Sequence, residues 1–163
     1  MANYNFKQDI NLGKQGESIV IQDLEFLGAT YISSNDTYTH DFIIKFNNAD
    51  ISYECKTDIF QDTGNIFIET NCRGHESGIL VTQADWFVTY FSKMNEIWYI
   101  KTKNLLKIIK ENEHKVVENV GDHGSKTKGY LINKNMFRKH FIVRNSITHK
   151  EIIPKWLKEL NSL

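Results

Sequence analysis

Apolar positions recur along this chain with two periods, and each period names an element. Leu12, Ile19, Val20, Leu24 and Leu27 follow helical spacing, so Leu12 to Leu27 reads as a helix stopped by Gly28. Asp23 falls inside that apolar stripe and makes the wheel imperfect. Ala29 to Ser33 reads as a short strand. His40 to Phe46 and Ile51 to Thr57 alternate with period two around the turn signal Asn47-Asn48. Asn65 to Glu69 is a further strand. Thr82 to about Lys93 reads as a helix, with Trp86, Tyr90 and Met94 on one face. Glu96 to Ile100 is a strand and Lys103 to Lys110 a helix. Gly121 to Gly129 reads as a loop, and Tyr130 to Asn133 with Phe137 to Arg144 as a basic hairpin. Ile152 to Leu160 is a closing helix with Pro154 in its first turn. The order predicts an α/β protein: a mixed central sheet flanked by helices.

The hairpin around Asn47-Asn48 carries the chemistry. A two-residue turn pairs Phe46 with Ala49, Ile44 with Ile51 and Phe42 with Tyr53, apolar on apolar. A slip by one residue would set Phe42 among polar positions. This register puts Asp41 opposite Glu54, with Cβ atoms about 5 Å apart, whereas a four-residue loop would put Asp41 opposite Lys56, still on the same face. Glu54 and Lys56 share one face because side chains two apart in a strand point the same way. Facing carboxylates repel unless a cation neutralises them, and carboxylate oxygens suit Mg²⁺ or Mn²⁺. A lysine beside such an ion can hold a water and help deprotonate it. Asp, Glu and Lys on one face are therefore the parts for metal-assisted phosphodiester hydrolysis. Taken singly, each residue reads as an ordinary surface charge.

Asp41 followed by Glu54-Cys55-Lys56 at the end of the next strand resembles the core motif of the PD-(D/E)xK nuclease superfamily. The string Thr37-Tyr38-Thr39-His40-Asp41-Phe42-Ile43-Ile44 is similar to the motif of phage Holliday-junction resolvases of that superfamily. Histidine at 40 stands where the family name has proline, a variable position. Glu17, in Gly13-Lys14-Gln15-Gly16-Glu17, matches the family's first-helix glutamate, and the likeness covers about residues 11–100. It implies a restriction-endonuclease-like fold and a metal site built by Asp41, Glu54 and Glu17, with Lys56 positioning the attacking water. On the helical wheel Glu17 lies at the border of the apolar stripe. It reads equally as a first-turn acid favoured by the helix dipole.

Composition limits the alternatives. The chain has 163 residues, 40% hydrophobic and 25% charged, with one proline, as expected for one globular domain rather than a disordered or collagenous chain. No run approaches the roughly 18 apolar residues of a membrane span. The first seven residues lack the apolar core of a signal peptide. Cys55 and Cys72 make no framework, so an intracellular, cytoplasmic setting is expected, with Cys55 packed on the buried sheet face. The net charge is zero but unevenly spread. Residues 1–100 hold 6 Lys/Arg against 14 Asp/Glu, and residues 101–150 hold 12 against 4. An acidic catalytic part beside a basic DNA-holding part is one reading, and solvated faces that differ by chance are the other.

Other candidates carry less weight. Glu69 ends its strand and is a further ligand candidate or an exposed strand end. Arg73 and His75, in a glycine-flanked loop, are placed to touch phosphates. Thr82-Gln83-Ala84-Asp85 resembles a capping box, and Gln83 matches a glutamine that some family members carry on the helix after the ExK strand. Lys126, Lys128, Lys134, Arg138, Lys139 and Arg144 form a basic region whose aromatics, Tyr130, Phe137 and Phe141, read more readily as core than as stacking platforms. Lys126, Lys128, Arg138 and Lys139 are the DNA-contact candidates within it. Gly121 to Lys128 fails as a phosphate loop, because two residues and not four separate its glycines. The expectation is a Mg²⁺- or Mn²⁺-dependent deoxyribonuclease, structure-selective for branched DNA, for which cutting two strands favours a homodimer. The other class is a noncatalytic nucleic-acid-binding protein that keeps the fold. The intact Asp41, Glu54 and Lys56 set speaks against it.

Overall fold

The computed structural model describes residues 6–35, 39–59, 63–120 and 126–146. A first helix, α1 (Phe6–Phe26), leads into β1 (Thr30–Ser34), β2 (Phe42–Phe46) and β3 (Ala49–Asp58). Then come β4 (Asn65–Cys72), β5 (His75–Glu76), a 3₁₀ turn over Gly78–Leu80, β6 (Trp86–Phe91) and β7 (Glu96–Lys101). The last described elements are α2 (Thr102–Glu111), β8 (Lys115–Val120), β9 (Thr127–Asn133), α3 (Lys134–Phe137), a 3₁₀ turn over Arg138–His140 and β10 (Ile142–Asn145).

The strands make two sheets. The larger has the order β1-β2-β3-β6-β7-β10 and is mixed, because β3 and β6 run parallel while their neighbours are antiparallel. The smaller is antiparallel, in the order β5-β4-β9-β8. Val20 and Leu24 of α1 cover one face of the large sheet, against Phe42, Ile44, Tyr53, Cys55, Val88 and Tyr90. Its other face presents Phe87, Phe91, Trp98 and Ile100 to Ile66, Ile68 and Ile132 of the small sheet and to Leu105 and Ile108 of α2. Each fully buried side chain of this kind contributes about 1.5–3 kcal/mol. The protein is thus α/β with a mixed sheet, but a second sheet joins a helix on one face where helices alone were expected.

Three expectations are corrected. Thr82 to Lys93 is not a helix: its apolar part is β6, an interior strand. Phe87 to Phe91 are all buried, so the strand shows no polar side and no alternation. Trp86 and Tyr90 matched helical spacing within a run where Phe87, Val88 and Phe91 also are apolar. The basic hairpin also dissolves. Tyr130 to Asn133 belong to β9 in the small sheet, whereas Ile142 to Asn145 form β10 against β7 in the large one. Phe137 and Phe141 are core residues, as their apolar character suggested. Finally, Thr127 to Gly129 are strand rather than loop. Gly129 sits where a Cβ would lie 2.3 Å from the Ile68 carbonyl oxygen, so close strand packing, not flexibility, explains that glycine. The closing helix proposed for Ile152 to Leu160 lies outside the described residues, as do Gly121 to Ser125.

The basic region is divided by this topology. Arg144, on β10, has a side chain only 8% exposed and forks onto Asp23 of α1, with Nε 2.7 Å from Oδ2 and Nη2 3.0 Å from Oδ1. The Tyr99 hydroxyl donates to the same Oδ2 at 2.8 Å. The polar residue that broke the apolar stripe of α1 is therefore the anchor of a buried ion pair. Lys134 is likewise buried, with Nζ 3.9 Å from Asp58 Oδ2 and over the Phe91 ring.

Candidate active site

The β2–β3 hairpin forms as its pattern required. Asn47 and Asn48 take φ of 48° and 64°, the left-handed values of a tight hairpin turn that asparagine tolerates. Phe46 pairs with Ala49, Ile44 with Ile51 and Phe42 with Tyr53. Phe42 and Tyr53 stack with ring centroids 5.2 Å apart, so this face is fixed toward α1. Cys55 packs on the same face, and burial pushes its thiol pKa well up, leaving it a small apolar residue rather than a nucleophile. Glu54 and Lys56 accordingly point the other way.

Asp41 immediately precedes β2 and is tied to β3 twice. Its N–H donates to the Tyr53 carbonyl at 2.8 Å, and its Oδ2 accepts from the Cys55 N–H at 2.7 Å. Glu54 is only 7% exposed, a costly place for a carboxylate without partners. Lys56 Nζ lies 2.6 Å from its Oε1, and Thr82 Oγ1 lies 3.2 Å from Oε2. Lys56 keeps 44% of its side chain exposed, so the pair opens to solvent at the ammonium end. Burial works to lower the Lys56 pKa, but the charges of Glu54, Asp41 and Glu69 outweigh it and hold the pKa above the ordinary 10.5. The side chain is an ammonium at neutral pH.

Glu17 reaches this place from α1. The helix lies tightly on the end of β3: a Cβ at Gly16 would sit 1.9 Å from Thr57 Oγ1. Glu17 is half-buried and paired with Lys14 at 3.0 Å. Burial raises its pKa above 4.5, Lys14 opposes the shift, and the Asp41 charge adds to it. A carboxyl whose folded pKa is raised contributes most to stability below the unfolded value, and that contribution is lost as pH rises through the folded value. We predict that Glu17→Gln melts at a higher temperature than wild type near neutral pH. The gain should vanish below pH 4.5, where wild type is itself protonated, and melting curves across that range check it.

The remaining candidates separate. Glu69, half-buried on β4, acts electrostatically on Lys56 and so belongs to the same neighbourhood. Gln83 is exposed on an irregular segment, with its N–H on the Thr39 carbonyl, and no helix carries it. Thr82 was not expected here. Its capping-box reading assigned the hydroxyl to a helix start. Instead Oγ1 accepts from the Ala84 N–H at 3.3 Å, and its single proton is shared between Glu54 and the Thr39 carbonyl. Among the described residues no three His, Cys, Asp or Glu side chains are gathered as a ready chelate; Glu54 is engaged by Lys56.

Of the basic candidates, Arg138 is ion-paired and keeps 46% of its side chain exposed. It forks onto Glu96 at 2.9 and 3.0 Å and lies over the Trp98 ring, and Glu96 in turn is held below its ordinary pKa by that bond. Lys139 is exposed on the following 3₁₀ turn. Arg73 and His75 are exposed at the β4–β5 turn, and Lys126 and Lys128 at the start of β9. Lys128 pairs with Glu118 at 2.8 Å. Asn71 lies opposite Lys128 in the β4–β9 ladder, so these four residues share one end of the small sheet, away from Arg138.

No family model, curated protein or solved structure matches the chain. Among the described residues, no helix is long and apolar enough to cross a membrane.

Proposed function

We propose that the chain is a metal-dependent deoxyribonuclease with a restriction-endonuclease-like fold. The observation that supports this reading best is the Glu54–Lys56 pair on one face of β3, beside an Asp41 held to the same strand across the hairpin. The donor set fits a hard divalent cation such as Mg²⁺ or Mn²⁺: it is made of carboxylate oxygens, and one oxygen of Asp41 is already oriented by a backbone N–H. Asp41 and Glu54 would hold the ion, with Glu17 contributing from α1. When bound, such an ion makes a neutral-pH nucleophile of water and stabilises charge on the phosphate.

The chain's own residues do the rest. Lys56, protonated at neutral pH, donates to the attacking water and orients it rather than taking its proton. Thr82 and the Cys55 N–H fix the Glu54 and Asp41 carboxylates, so their geometry is set before substrate arrives. Water oxygen bonds to phosphorus as the ester P–O bond breaks; the attacking water gives up one proton to bulk solvent, and the departing oxygen takes one from solvent, so the step balances.

Titrating Mn²⁺ into wild type and into Asp41→Asn by calorimetry tests the metal assignment. Binding should be lost in the variant, and equal heats in both would overturn it. A panel of duplex, single-stranded, branched and RNA substrates then reads the substrate form, with branched DNA the expected preference. Binding of DNA without cleavage in any divalent ion would leave a noncatalytic binder.

A further inference from the structure

The helix α2 turns its apolar side to the core and a row of lysines to solvent. Leu105 and Ile108 are buried against the large sheet. On the opposite side Lys103, Lys107 and Lys110 follow one another at i, i+4 and i+7, all exposed. Lys107 lies 3.8 Å from an equally exposed Glu111, and among the described residues Lys103 and Lys110 have no ion-pair partner. Lys56, Lys134, Arg138 and Arg144 differ, because carboxylates within the fold meet their charges. The row also costs stability. Lys103 and Lys107 repel at i, i+4. Lys103 sits in the first turn, where the helix dipole disfavours a cation, and that turn has no acid and no capping side chain. An anion along this face would relieve both. The start of α2 is fastened to the strand that carries the candidate site: the Thr102 N–H donates to the Asp85 carbonyl at 3.0 Å, and the Asp85 carboxylate accepts from the N–H and hydroxyl of Ser52 at 2.9 and 2.8 Å. Ser52 precedes Glu54 by two residues on β3 and shares its face.

We infer that the outer face of α2 is a track for the phosphate backbone of a DNA duplex, held by Lys103, Lys107 and Lys110 and leading to the carboxylates of β3. The inference rests on the nuclease reading for what happens at the end of the track, not for the binding itself. From Lys103 to Lys110 the helix rises about 10 Å. Each DNA strand carries a phosphate about every 3.4 Å along the duplex axis, so three lysines over that length meet about three phosphates. Ammonium groups hold phosphates as point charges and read no base, so the track is indifferent to sequence. A membrane surface is a poorer match. An interfacial helix needs a free apolar face, and that of α2 is buried in the core.

Fluorescence anisotropy with labelled DNA duplexes over a range of salt, in Ca²⁺ in place of Mg²⁺, tests this. Changing Lys103, Lys107 and Lys110 together to alanine should weaken binding about tenfold or more and flatten the log–log salt slope by about two to three units. Duplexes of unrelated sequence should bind wild type alike. Lys103→Glu separates binding from folding. It puts an acid at the positive end of the helix and four residues ahead of Lys107, so it should raise Tm while weakening DNA binding. Binding lost only together with a lower Tm would trace the effect to folding and overturn the inference. So would an unchanged affinity and salt slope in the triple variant, no duplex binding by wild type, or capture of anionic lipid vesicles through these lysines without duplex binding. A triple variant that binds and cuts like wild type sinks the track alone. A wild type that binds through α2 yet cuts in no divalent ion sinks the nuclease reading alone.

Discussion

Replacing Lys56 by alanine is expected to lower the rate of DNA cleavage by about 10²-fold or more, since a nucleophile displaced by about 1 Å costs that much. Affinity for DNA should stay within a few-fold, because in the proposed mechanism Lys56 meets the attacking water rather than the phosphate track. The motivation is its position: protonated, half-exposed, and 2.6 Å from a buried Glu54. Single-turnover cleavage and anisotropy on the same protein separate the two effects. Lys56→Arg preserves the charge but spreads it over a planar fork, so it should recover binding of the carboxylates without full activity. Near-normal turnover by Lys56→Ala would count against the proposed mechanism. The variant also leaves the buried Glu54 without its ion-pair partner, so circular dichroism and melting curves of Lys56→Ala separate lost folding from lost chemistry.

The largest effect on stability is expected at Asp23 and Arg144. Their side chains are 1% and 8% exposed, and they join α1 to the far edge strand of the large sheet. Removing one partner leaves the other charge buried and unpaired. Asp23→Ala or Arg144→Ala should each cost about 3–5 kcal/mol, a fall in Tm on the order of 10 °C for a chain of this size. Replacing both by apolar residues should recover most of the loss, because the burial penalty disappears with the charges. The Tyr99 hydroxyl would then lack its acceptor, so Asp23→Leu/Arg144→Met should gain further from Tyr99→Phe. Denaturant titrations of the singles, the double and the triple measure this. Small, additive losses in the singles would show the pair to be dispensable.

Where the sequence was legible, local physics decided the outcome. The β2–β3 hairpin follows from a turn that asparagine tolerates and an alternation that excludes a one-residue slip; the two-residue turn, with Phe42 against Tyr53, is the one that forms rather than a four-residue loop on the same face. That register also sets Glu54 and Lys56 on one face and Cys55 on the other. The helix ahead of Gly28 and the strand and helix between Glu96 and Glu111 were visible in the same way, although α1 begins earlier, at Phe6, where no apolar stripe marks its first turns.

What the sequence could not decide were the pairings between distant segments. β6 has no polar face because β3 and β7 flank it within the sheet and apolar layers cover it above and below, and its aromatic run fits a helix equally until those neighbours are in place. The small sheet exists only through β4 meeting β9 some sixty positions later, a contact that no local period records. The same long-range contacts sort the basic residues. Arg144, Lys134 and Arg138 look like their neighbours Lys126 and Lys139 in the sequence, yet the fold brings Asp23, Asp58 and Glu96 to the first three. A charge written in sequence has no partner until the chain closes, and its environment, not its identity, determines whether it binds a ligand or holds the protein together.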